Sequence, residues 1–133
     1  MTSTLGVIAV GFVVLMLASQ LLVRLRARAL VGAPVPALPG PVGEAVGRAQ
    51  PVLLYFFSPG CAACTFITPK VRELQAQHPG VFAVDVSRDL SLASPLRVMA
   101  TPTTVEIADG KIVGYHVGVF PPELLSRFGA ATR

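Results

Sequence analysis

From Leu5 to Val23 the chain carries no charged side chain, and Ser19 and Gln20 are the only polar ones in the run. At about 1.5 Å per residue, a helix of that length comes close to the roughly 30 Å hydrocarbon core of a bilayer. The run is therefore expected as one transmembrane helix, and a fold in water must be built from the residues after it. The leader Met1-Thr2-Ser3-Thr4 has no charged side chain, unlike the basic leader of a cleaved signal peptide. Arg24, Arg26 and Arg28 follow at once. Short flanks rich in arginine stay in the cytoplasm, so the soluble part is expected on that side of the cell membrane, with the extracytoplasmic side as the alternative. These three account for most of the +4 formal charge. The basic excess thus points to an anionic lipid surface and not to nucleic acid.

Residues 31–41 hold four prolines. Such a stretch favours extended polyproline-like backbone, a stiff spacer of about 3.1 Å per residue, although it could also hold a poor edge strand. The expected organisation is a short tail (1–4), a transmembrane helix (5–23), a basic and then proline-rich linker (24–41), and one domain (42–133).

Within that domain, strand and helix patterns alternate, as in an α/β fold. Residues 42–49 read as a short helix. The apolar run Val52–Phe57 reads as a buried strand. A helix is expected from about Cys61 to Gln77, with Ile67, Val71 and Leu74 on one face, Pro69 inside, and His78-Pro79-Gly80 as its stop. Val81–Val86 reads as a second strand, Leu90–Val98 as a short helix, and Thr103–Ala108 as a third strand. Asp109-Gly110 marks a two-residue hairpin into Lys111–Val117. A last helix begins at Pro121-Pro122-Glu123, with Leu124, Leu125 and Phe128 toward the core.

Cys61 and Cys64 are the only cysteines, and they stand where the first strand hands over to the helix. Two intervening residues bring the sulfurs together but leave them in unlike surroundings. Cys61 is expected near the unpaired N–H groups of the helix start, which favour a thiolate, and Cys64 a turn further in, shielded. The chemistry this suits is thiol–disulfide exchange: Cys61 attacks a partner disulfide and Cys64 resolves the mixed disulfide. A zinc site would need two more ligands from among His78, His116 and a few carboxylates; there is no second cysteine pair and the two histidines are isolated from each other, so no metal is expected. A soft-metal (copper) carrier and a redox-sensing adaptor are the alternative functions. No cofactor is expected, since the pair itself carries the electrons.

The run Phe57-Ser58-Pro59-Gly60-Cys61-Ala62-Ala63-Cys64, with Pro69 beyond it and Ala100-Thr101-Pro102-Thr103 further on, resembles the thioredoxin family over roughly residues 42–130. The resemblance implies a thioredoxin-like fold, a central mixed sheet with helices on both faces, and a cis peptide before Pro102. It also implies that Thr101 and Pro102 form a platform for an extended substrate segment, with Gly60 leaving space beside the nucleophile. The implied partners are protein disulfides or dithiols at or in the membrane, together with an external electron donor or acceptor.

Two family features are replaced. The buried aspartate and its lysine partner fall at Tyr55 and Ala83, and Gly60 stands where the family has tryptophan. Glu106 reads first as an exposed strand residue and second as a stand-in proton carrier. His116 reads as a strand surface residue, Met99 as gap-filling core ahead of a border of the substrate groove, and Asp85 and Asp89 as turn caps.

Overall fold

A computed structural model describes residues 1–130; positions 131–133, the end of the expected domain, lie outside the described residues. The run Val52–Phe57 forms strand β1, buried along its whole length. Successive side chains of a strand leave on opposite faces, so a strand this apolar needs cover on both. Val52, Leu54 and Phe56 enter one core with Val42, Ala45, Leu96 and Val105. Leu53, Tyr55 and Phe57 enter the other with Cys64, Val71, Leu74, Leu124 and Phe128.

Strand β2 (Val81–Asp85) lies parallel to β1 on one side, and β3 (Thr103–Ala108) antiparallel on the other. Strand β4 (Lys111–Val117) closes the order β2-β1-β3-β4. Asp109 and Gly110 both take positive φ, 52° and 72°, which is what a two-residue turn between right-twisted strands demands. Helix α2 (Gly40–Gly47) covers the first face. Helices α3 (Cys64–Gln77) and α4 (Pro122–Ala130) cover the second. This is the mixed sheet with helices on both faces that the sequence led us to expect.

Three local expectations change. Leu90–Val98 is a succession of turns and not a helix. Ser94 N–H reaches the Leu90 carbonyl, but Pro95 has no N–H to donate and Arg97 turns to a φ of 55°, so the ladder cannot propagate. Helix α3 begins at Cys64, three residues later than expected. Residues 31–41 do not stand clear as a spacer but take the alternative course, a short edge pairing. The Gly32 N–H donates to Ile112 O (2.6 Å), Ile112 N–H to Ala33 O (3.0 Å), and Val35 N–H to Gly110 O (3.0 Å). The segment covers what would be the bare edge of β4, a place where Pro34 is tolerated because its missing N–H interrupts no ladder. Val35 and Leu38 then pack against the core on the α2 side.

Ahead of this lies α1 (Thr2–Leu30), a single helix of 29 residues that extends past the apolar run to include the three arginines. None of its residues is buried. Among the described residues it is the one helix long and apolar enough to cross a membrane.

Candidate active site

Strand β1 ends at Phe57, and Ser58-Pro59-Gly60 turn the chain toward α3. The turn is closed by Cys61 N–H donating to the Ser58 carbonyl at 3.2 Å. Cys61 and Cys64 are joined by a disulfide, with Cα atoms 5.3 Å apart. The Cys64 N–H donates to Cys61 Sγ at 3.2 Å. That sulfur thus accepts from the first N–H of α3, one of the orphan donors of a helix start. Cys61 is half-buried, whereas Cys64 is only 2% exposed. The two cysteines are unequal: Cys61 is partly exposed and packs against the rim of the core, whereas Cys64 belongs to that core together with Tyr55, Phe57 and Val71. Gly60 is exposed, and a Cβ added to it would meet nothing within 4 Å, so the surface beside Cys61 is open.

The Thr101–Pro102 peptide bond is cis, and Pro102 is buried. Its loop is held from both ends: Thr103 Oγ1 donates to Ala100 O (2.6 Å) and Gly118 N–H to Pro102 O (2.8 Å). Thr101 Oγ1 lies 3.3 Å from Ser58 Oγ. This hydroxyl contact brings Thr101 and Pro102 to the turn that carries Cys61. A shallow cavity of about 280 Å³ opens here, lined by Ser58, Leu90, Val98, Met99 and Thr101 among others. Met99, read from the sequence as core filling, is instead 92% exposed, because the loop before the cis bond turns its side chain outward. Phe66, in the first turn of α3, is 80% exposed and was not marked by the sequence. A large aromatic that breaks the apolar spacing of Ile67, Val71 and Leu74 was the available signal.

On the α3 side of the sheet, the Tyr55 hydroxyl lies 3.0 Å from Thr68 Oγ1. Burial pushes the Tyr55 phenol above its ordinary range, and the bond with Thr68 pulls it part of the way back. Ala83 is its neighbour on β2. A phenol and a methyl group therefore occupy the positions where the resemblance would put a carboxylate and a lysine.

Glu106 is not the exposed strand residue expected. It is buried, accepting from Arg127 Nη1 at 2.7 Å through Oε1 and lying 3.0 Å from His116 Nε2 through Oε2. His116 is correspondingly half-buried and not a free surface residue. The space is provided by Gly114, opposite Glu106 across a β-bulge, where any Cβ would run into the carboxylate. A glycine inside a strand signals such a close approach, and that was the clue available in the sequence. Both carboxylate oxygens are thus committed to Arg127 and His116. Asp85 and Asp89 do cap turns, accepting from Ser87 and Ser91. Those bonds hold both carboxyls below their ordinary range.

The family model described as Thioredoxin matches residues 43–129. A thioredoxin of Haemophilus influenzae is 35% identical over 81 residues, covering 59% of this chain and 76% of the relative. One from Bacillus subtilis is 32% identical over 77 residues, covering 56% and 74%. Among solved structures, the thioredoxin of Fasciola hepatica superimposes with a TM-score of 0.53 at 30% identity, covering 65% of this chain and 88% of that one. A cysteine pair at the start of a helix, on a mixed sheet of this order, in a chain with these likenesses, belongs to the thioredoxin family of thiol–disulfide oxidoreductases.

Proposed function

We propose that this protein is a membrane-anchored thioredoxin that exchanges disulfides with cysteine pairs of partner proteins, with Cys61 as nucleophile and Cys64 as resolving thiol. The observation that carries this reading is the inequality of the pair: Cys61 is partly exposed with its Sγ accepting from the N–H of Cys64, while Cys64 is buried. In the reduced protein the same helix end would favour negative charge on Cys61, the form that attacks.

The exchange then runs as follows. Cys61 thiolate attacks one sulfur of the partner's disulfide, that S–S bond breaks, and the other partner sulfur leaves as a thiolate and takes up a proton. Cys64 loses its proton and attacks Cys61 Sγ, releasing the second partner sulfur. Two electrons have passed to the partner, and the Cys61–Cys64 disulfide remains to be reduced by an external donor. Run backwards, the same steps oxidise a partner dithiol.

In this reading, Thr101 and Pro102 form the platform for the partner's backbone, and Gly60 leaves room for the entering sulfur. Helix α1 is the anchor, spanning the cell membrane over residues 5–23. Arg24, Arg26 and Arg28 lie at the anionic surface and keep the domain cytoplasmic. Anchoring raises the local concentration of partners at the membrane without any new contact.

Replacement of the resolving thiol, Cys64→Ser, tests the proposal. In cells this variant should accumulate mixed disulfides on Cys61 that disappear with reductant and are absent when Cys61→Ser is added. Normal expression of Cys64→Ser with no covalent adduct would contradict it.

A further inference from the structure

Helix α1 and strand β4 give the cysteine-bearing end of the domain a direction. At one end of β4, Ile112 bonds to Gly32 and Ala33, just past the end of α1. Further along, Ser19, Gln20, Val23, Arg24, Ala27 and Arg28 of α1 share a cleft with Tyr115 and Val117. Going back along α1 from Leu30 is therefore going forward along β4 toward Val117. The next residue, Gly118, donates its N–H to the Pro102 carbonyl, so this is the end that carries the cis bond and the disulfide. Residues Thr2 to Ala18, the most apolar part of α1, continue past it for about 25 Å.

We infer that the cysteine-bearing end of the domain is turned toward the bilayer, with Phe66, Met99 and Val119 resting in the interfacial region of the lipid. This rests on the reading of α1 as a membrane span. Three features agree with it. Ser19 and Gln20, the two polar residues of the apolar run, are among those facing the domain, so this end of the domain lies level with the domain-side end of the 5–23 span. Arg24 and Arg28 stand beside Tyr115, at the level where anionic headgroups attract cations and where aromatic rings with a polar tip favour the boundary. Phe66 just after Cys64, Met99 in the loop before the cis bond and Val119 next to Gly118 are exposed apolar side chains at this end of the domain. Such a patch is unfavourable in bulk water and favourable when sunk roughly 5–10 Å into the boundary between headgroups and acyl chains. The far end of the domain offers Gln50, Asp109 and Lys111, polar and exposed. The partner sulfurs that reach Cys61 are then those of membrane proteins, held close to the bilayer surface.

The chain has no tryptophan, so single-tryptophan variants report depth without background. Phe12→Trp, Met99→Trp and Gln50→Trp, each in the full chain, are reconstituted into vesicles of phosphatidylcholine and phosphatidylglycerol, with bromine placed near the headgroup end of the acyl chains or at their middle. Phe12→Trp should be quenched by bromine at mid-chain. Met99→Trp should lose about half or more of its emission to shallow bromine, the depth expected for an interfacial apolar side chain. Gln50→Trp should be unaffected. If Phe12→Trp is quenched while Met99→Trp behaves like Gln50→Trp, the orientation is wrong and the anchor stands. If Phe12→Trp is itself unquenched, the membrane span fails and the orientation fails with it. Phe66→Trp repeats the measurement at an independent position and must give the same answer as Met99→Trp.

Discussion

At the scale of single residues, the polar groups around the sheet are settled by pairing. The Tyr55 hydroxyl meets Thr68, and the Tyr115 hydroxyl donates to the carbonyls of Leu96 and Arg97. Burial raises both phenols above their ordinary value of 10.0. The fold therefore holds the neutral forms. Because the folded values exceed the unfolded one, the contribution is complete below 10.0 and is lost as pH rises beyond it. Denaturant midpoints should stay flat from neutral pH up to that value and then fall, with a smaller fall in Tyr55→Phe and Tyr115→Phe than in the parent. A second prediction concerns Gly114, whose missing side chain leaves room for the Glu106 carboxylate. Gly114→Ala should cost about 1–3 kcal/mol in urea unfolding, as overpacking does. In a Glu106→Ala background most of that penalty should vanish, since residues in direct contact are not additive. A full penalty in both backgrounds would place the conflict elsewhere. The sequence could mark Gly114 as unusual, but it could not pair Glu106 with Arg127, because that partner arrives from a helix 21 residues away.

At the scale of elements, β1 carries the fold because each of its faces closes a separate core. Leu53→Ala and Leu54→Ala should each lose about 2–5 kcal/mol, the usual range for emptying a buried site, although they point to opposite sides. Leu90→Ala, at an exposed position, should change the urea midpoint little. The strands were legible because apolar runs and the Asp109-Gly110 turn report directly on burial and backbone geometry. The loop 90–98 was misread for a related reason. Its Ala93 and Leu96 are buried at helical spacing, but spacing reports which side chains face the core and not whether the backbone ladder continues through Pro95. At the site, the cysteines and the cis-proline motif could be read from the chain. The Ser58–Thr101 contact could not, since it joins residues 43 apart. Exposure of Met99 was equally hidden: a methionine near a site suits a packed gap as well as an open rim.

At the scale of the whole molecule, helix α1 and the domain are joined through the edge of the sheet. Gly32, Pro34 and Val35 lie along the edge of β4, and Val35 and Leu38 pack against the core. A chain beginning at residue 42 should therefore be less stable than one beginning at residue 31, by about 2 kcal/mol or more for the two apolar side chains lost, as urea unfolding would show. Equal stability of the two would mean that the proline-rich segment contributes no more than a tether. The central claim, that a partly exposed Cys61 and a buried Cys64 trade their mutual bond for a bond to another protein, is met most directly by turnover. The full chain in lipid vesicles is supplied with a dithiol reductant and a protein disulfide, and appearance of the substrate's free thiols is followed for the parent and for Cys61→Ser. The account predicts catalysed reduction by the parent and a fall to the uncatalysed background in the variant. Equal rates for the two, or no catalysis by a folded parent, would contradict it.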